Sequence, residues 1–216
     1  MHQQMTVLKA QGLGFSHVQP PAPQLFDRLS FALLPGVAWV GGGEGSGKTT
    51  LLQLLAGTLP AGRVQGQLGI QGISLQENRK AYQQQVAWLD PRDTAFDLQT
   101  ARQLFAAQPP HRPHCNPGEL QAHTAGLSLE PHLDKALFML SSGTRRKVLM
   151  AAALAALAPV TLLDQPFMAL DQPSINYLLR VLAKASRHAS RTWVVADYEA
   201  PPGVVLSEMI ELQSGC

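Results

Sequence analysis

An α/β fold on a mostly parallel sheet is what this sequence predicts, from three observations. A tight apolar run, Val37-Ala38-Trp39-Val40, leads straight into the glycine-rich turn 41–50 and then into the leucine pattern Leu51, Leu52, Leu54, Leu55. A second apolar run, 160–163, ends in Asp164 and precedes the amphipathic stretch 174–186. A third, 192–196, continues the alternation. Strands that read apolar on both faces and alternate with helices belong in a parallel sheet covered on both sides.

The remaining elements follow in chain order. Residues 7–15 show mixed alternation and supply a short strand before the turn marked by Pro20, Pro21 and Pro23. Residues 31–34 read as a strand, and Gly57 with Pro60 ends the leucine helix. The stretch 64–89, punctuated by Gly66, Gly69 and Gly72, reads as turns between short strands and closes on Val86-Ala87-Trp88-Leu89. From 90 to 140 the composition changes: helical pieces near 98–107 and 117–127 are broken by Pro109, Pro110 and Pro113, which marks an inserted lobe. The run 148–158 reads as a buried Ala/Leu helix, and 204–212 offers a last strand.

The 216 residues suit one domain with that lobe inserted, and 45% apolar with 15% charged residues describe a folded chain rather than a disordered one. A net charge of +2 is too small to argue for nucleic acid, which needs a concentrated basic face, and no nucleic-acid partner is expected. The longest basic run, Arg145-Arg146-Lys147, reads as a solvated helix turn. Cys115 and Cys216 give no disulfide framework and fit a reducing compartment. The N-terminus lacks a secretory layout, and the 148–158 run, at about 11 residues, falls short of a membrane span. The expectation is a soluble, cytoplasmic protein. His111, His114 and Cys115 are potential zinc ligands, but they lack a second ligand pair and read as a solvated loop. Of Tyr82, Trp88 and Trp193, candidate interface aromatics, the two tryptophans sit in apolar strands and read as core.

Gly42, Gly47, Lys48 and Thr49 complete the pattern G-x-x-x-x-G-K-[ST]. Glycines let backbone N–H groups turn inward on phosphates, and the following helix presents its positive dipole end to the anion. Gly42, Gly43, Glu44, Gly45, Ser46, Gly47, Lys48, Thr49 and Thr50 are therefore the candidate nucleotide-binding residues, with ATP as the expected ligand. Lys48 is expected on the terminal phosphates, with the Thr49 hydroxyl and Asp164 holding Mg²⁺.

Beyond that loop the chain resembles the nucleotide-binding subunits of ATP-binding cassette (ABC) transporters. Leu140-Ser141-Ser142-Gly143-Thr144, just upstream of the Asp164 strand, is similar to the family's LSGGQ signature, whose helix N-terminus binds phosphate across a dimer interface. Met168-Ala169-Leu170-Asp171 looks like the D-loop that links two nucleotide sites, and Pro166 sits after the catalytic-acid position. Leu13-Gly14-Phe15-Ser16-His17 resembles the segment whose aromatic residue stacks on adenine, with His17 in that place. The resemblance spans nearly the whole chain. It implies a P-loop NTPase core, a small N-terminal antiparallel β-subdomain, and residues 90–140 as the helical lobe that touches a transmembrane permease. It further implies a cassette homodimer or heterodimer at the cytoplasmic face of a membrane.

Four positions depart from the family. Gln165 replaces the expected catalytic glutamate, and a carboxamide cannot accept a proton at neutral pH, although it can orient water. Asp197 stands where the switch histidine is expected, and should repel a γ-phosphate unless it serves as a substitute base. Asp90-Pro91 replaces the glutamine that joins sheet to lobe, with Gln85 too early to serve. Ser142 and Thr144 replace the first glycine and the last glutamine of the signature. ATP binding with slow or partner-dependent hydrolysis in a transporter is the leading expectation. A non-hydrolysing, ATP-responsive regulatory or assembly module is the alternative. A small-molecule kinase would leave the signature and Leu170-Asp171 unexplained.

Overall fold

The computed structural model describes residues 6–16, 25–107 and 116–213. His17, His111, His114, Cys115 and Cys216 lie outside them.

Two sheets organise the chain. The first is antiparallel: β1 (Leu8–Phe15) lies between β2 (Phe26–Leu33) and β4 (Val64–Ile70), and β5 (Ile73–Ser74) extends it beyond β4. A register shift in β1 between Gln11 and Gly14 is accommodated where Gly66 meets Gly12, since a Cβ on Gly66 would lie 2.3 Å from the Gly12 carbonyl oxygen. This is the expected N-terminal subdomain.

The second sheet is parallel throughout. Its strands are β3 (Gly36–Gly41), β6 (Val86–Ala87), β7 (Val160–Asp164), β8 (Thr192–Ala196) and β9 (Leu206–Glu211), in the order β6-β7-β8-β3-β9. Period-two alternation sends neighbouring apolar residues to opposite faces. Ala38, Val40, Leu162 and Val194 join one core with the β-subdomain and helix α1 (Lys48–Leu55). Val37, Leu163, Trp193 and Val195 join another core with α5 (Ser142–Ala155) and α6 (Gln172–Ala185). Burial on both faces is why these strands carry no alternating polar residues.

Between 90 and 140 lie α3 (Ala101–Ala106) and α4 (Pro117–Gly126). Thr100 and Gln103 form a capping box on α3, while Asn116 caps α4 with Pro117 in its first turn. Leu104 of α3 and Leu127 share the core of α5 and α6, so these helices are packed onto the second core.

The structure corrects three local readings. Residues 79–83 form a helix, α2 (Arg79–Gln83), where only turns were expected. Its five residues are too few for a periodic signal, and it exists because Asn78 caps it and Tyr82 plugs the core. Tyr82, a candidate interface aromatic, is fully buried and donates its hydroxyl to the Leu55 carbonyl at 2.9 Å. The Ala/Leu run 148–158 is not one helix: α5 ends at Ala155, and Ala156 and Ala158 are extended or packed beneath Ala87.

Candidate nucleotide site

The register of the parallel sheet brings the site together. Val40 and Asp164 both align with Ala196 of β8, so the C-terminal ends of β3, β8 and β7 stand side by side. Loops leaving that edge of a parallel sheet form the crevice in which open α/β folds bind ligands.

The loop after β3 is shaped by its glycines. Gly42 has φ +149°, and a Cβ there would lie 2.5 Å from Ser46 Oγ and 2.8 Å from the Leu212 carbonyl oxygen. Gly47 caps α1 at φ +94°, with no side chain bonding the first N–H groups of the helix. Gly43, Glu44 and Gly45 are exposed at the crest, whereas Ser46, Lys48 and Thr50 are buried. Lys48 Nζ donates to the carbonyls of Gly42 at 2.5 Å and Gly43 at 2.7 Å, and lies 4.2 Å from the centre of the Tyr198 ring.

Asp164 meets this loop from β7. Thr49 Oγ1 donates to Asp164 Oδ2 at 2.8 Å. Burial pushes the Asp164 carboxyl above the usual range, while the Thr49 bond and the Arg92 charge pull it back. Asp164 Oδ1 and Ser46 Oγ are buried without a hydrogen-bond partner among the described residues. Two hard oxygen donors beside a lysine and a glycine-lined loop match the chemistry of a divalent cation with phosphate.

Asp197 follows β8, its N–H donating to the Val40 carbonyl at 3.1 Å. Its carboxylate accepts from the Tyr198 N–H at 2.8 Å. Burial raises its pKa, and that bond together with the Lys48 charge opposes the rise. Gln165 directly follows Asp164 with φ +45°, a conformation that costs a non-glycine residue energy and is held by its N–H bond to Ala196 O at 2.8 Å.

The other expected motif residues gather separately. Ser141 Oγ caps α5 by accepting from the Thr144 N–H at 3.2 Å, and Ser141 and Ser142 are exposed. Gly143 is buried beneath the Ala169 carbonyl. Asp171 caps α6 and pairs with Lys147. Among the described residues, no hydrogen bond or ion pair joins 141–144 to the phosphate loop.

The basic triplet is not a solvated turn. Arg145 donates to the carbonyls of Pro91 and Asp93 and to Asp97 Oδ1. Arg146 donates to the carbonyls of Asp164 at 2.8 Å and Gln165 at 3.1 Å, and Lys147 is buried against Asp171. Three consecutive helical residues project in different directions, and here each direction meets a separate loop. Sequence reasoning also missed Tyr198, Arg146 and Arg92, whose Nη2 donates to Thr49 Oγ1 at 3.0 Å. Tyr198 follows Asp197 and Arg92 follows Asp90-Pro91, so only their places beside unusual residues marked them.

Comparison with known proteins agrees with this geometry. The family model described as ABC transporter matches residues 26–168. The cytochrome c biogenesis ATP-binding export protein CcmA of Pseudomonas putida is 34% identical over 161 residues, covering 74% of this chain and 75% of the relative. Its counterpart from Xanthomonas axonopodis pv. citri is 31% identical over 219 residues, covering 99% and 97%. A dimeric bacterial ABC transporter cassette superposes with a TM-score of 0.76 at 19% identity, covering 96% of this chain and 95% of that one. The solved ATP-binding subunit of an ABC transporter gives 0.74 at 19% identity, covering 88% and 79%. With the phosphate loop, the strand-end aspartate and the matched sequence in agreement, the chain belongs to the ABC transporter family, as one of its ATP-binding subunits.

Proposed function

We propose that this chain binds Mg²⁺–ATP on residues 42–50 and transmits binding to a transmembrane permease through closure of a cassette dimer. The observation that carries the reading is the Thr49–Asp164 hydrogen bond beside Lys48, which places two oxygen donors and an ammonium at one strand edge. Thr49 and Asp164 would hold the metal, and Lys48 would turn from the loop carbonyls to the terminal phosphates. Bound metal supplies charge neutralisation of the phosphates. His17 is assigned the adenine-stacking place on resemblance alone.

Ser141, Ser142, Gly143 and Thr144 would meet the phosphates held by a second cassette, which fits the exposure of both serines at the start of α5. Asp171 would order the loop between the two sites. Residues 90–140 form the lobe that meets the permease, as the exposed Leu98, Phe138 and Met139 suggest. By resemblance to the family's ATP-binding subunits, the reading places the chain peripherally on the cytoplasmic face of a membrane; no helix among the described residues is long and apolar enough to cross one. By similarity to the cytochrome c biogenesis export proteins, the complex would be an exporter.

Hydrolysis by the chain alone is expected to be slow or absent, since Gln165 lacks a basic carboxylate and a missing base typically costs roughly 10²–10⁴ in rate. A partner cassette with its own base would restore turnover at one shared site. Calorimetry with ATP and Mg²⁺ should show binding that Lys48→Ala removes while the fold is kept. Phosphate release near an ordinary enzyme turnover of about 10 s⁻¹ from the isolated chain would refute the hydrolytic part.

A further inference from the structure

The metal position is already faced by a cation that the chain supplies. Arg92 Nη2 lies 3.0 Å from Thr49 Oγ1 and 3.9 Å from Asp164 Oδ2, on the two residues assigned to Mg²⁺. The Asp164 side chain is only 3% exposed and its Oδ1 lacks a partner among the described residues, so a buried carboxylate here needs a nearby positive charge. Arg92 is 65% exposed, and the Thr49 bond is the only hydrogen bond its guanidinium makes among the described residues. With the side chain largely exposed, the guanidinium keeps further donors beyond the one on Thr49.

Its backbone, by contrast, is fixed. The Arg92 N–H donates to Asp90 Oδ1 at 2.9 Å. Arg145 of α5 grips the carbonyls of Pro91 and Asp93 on either side of it. The base of the arm is therefore held while its tip stays free to follow a ligand. The other charges near Asp164 do not supply this function: Arg146 is spent on the carbonyls of Asp164 and Gln165, Lys48 lies against the loop and Tyr198, and Asp90 and Asp197 are acids.

We infer that Arg92 is a tethered counter-cation for the triphosphate, which lets this site hold ATP with little dependence on divalent metal. A guanidinium offers paired N–H donors to phosphate oxygens and keeps its charge at any physiological pH. With Mg²⁺ present the arm withdraws from Thr49 and Asp164. Without it, the arm occupies the position between those oxygens and the phosphates. The inference rests on the ATP reading above, but it makes a separate claim about metal dependence.

The test is equilibrium binding of ATP by calorimetry, in excess Mg²⁺ and in excess EDTA, for the wild type, Arg92→Ala and Arg92→Lys. Wild-type affinity should differ by less than about threefold between the two conditions. Arg92→Ala should lose roughly tenfold or more in EDTA and little in Mg²⁺, with Arg92→Lys between, because it keeps charge but not the fork. A wild type that weakens tenfold without metal overturns the inference. So does an Arg92→Ala loss equal in both conditions, which marks a merely structural residue. Failure of the wild type to bind in either condition would overturn the ATP reading and this inference together.

Discussion

Lys147 Nζ donates to Asp171 Oδ2 at 2.5 Å while Asp171 Oδ1 accepts from the Ser174 N–H at 2.9 Å. One carboxylate thus ties helix α5 to the start of α6. Lys147 is buried but the Asp171 side chain is 55% exposed, so the pair lies between the surface and buried cases.

Asp171→Asn tests that tie, because asparagine keeps one oxygen to cap Ser174 and puts an NH2 group, which cannot accept, where Oδ2 meets Lys147. The Lys147 and Ser174 bonds hold the Asp171 pKa well below the carboxylate range. A depressed folded pKa contributes stability above the unfolded value, near 3.9, and loses it as pH falls through the folded one. The substitution should cost about 1–2 kcal/mol at pH 7, and the gap from wild type should shrink below about pH 4. Urea titrations at the two pH values would show it. An equal gap at both would mean the charge contributes nothing.

Gly143→Ala should destabilise the fold. An added Cβ would lie 2.3 Å from the Ala169 carbonyl oxygen, so α5 or the loop must shift, at about 1–3 kcal/mol. Gly62→Ala, where the new methyl meets nothing within 4 Å, is the control and should change stability by less than about 0.5 kcal/mol. Equal denaturation midpoints for the two variants would contradict the close packing.

Asp197→Asn should strengthen ATP binding roughly threefold to tenfold, since it removes a negative charge close to Lys48 and Asp164. Burial raises the Asp197 pKa, so protonated Asp197 favours the fold below the unfolded pKa, and this is lost as pH rises through the folded value. At neutral pH the carboxylate therefore costs stability, and the asparagine variant should unfold at higher urea. An affinity unchanged in calorimetry would show that the carboxylate does not face the phosphates. Loss of phosphate release in the same variant would instead favour Asp197 as a substitute base.

The parallel sheet was legible because β3, β7 and β8 are each buried on both faces, which leaves a continuous apolar run in the sequence. The run 148–158 marked the body of α5, but its start at Ser142 was legible only through the resemblance of 140–144 to a motif that opens a helix. Helix α2 was not, because one buried tyrosine and one asparagine cap define it rather than a period. The triplet at 145–147 was misread because charge alone does not tell solvent from the loop carbonyls and the carboxylate it meets.

By itself the sequence marked the glycine loop at 42–49 and the strand-end Asp164, and through the resemblance it marked Gln165 and Asp197, each read from residues contiguous in the chain. Only the tertiary structure decided that Arg92 reaches Thr49, that Tyr198 covers Lys48, and that Arg146 reaches the Asp164 and Gln165 carbonyls. The reason is physical. A loop's dihedrals and a strand's burial are written in neighbouring residues, whereas contacts across distant segments depend on the order and register in which the strands stack.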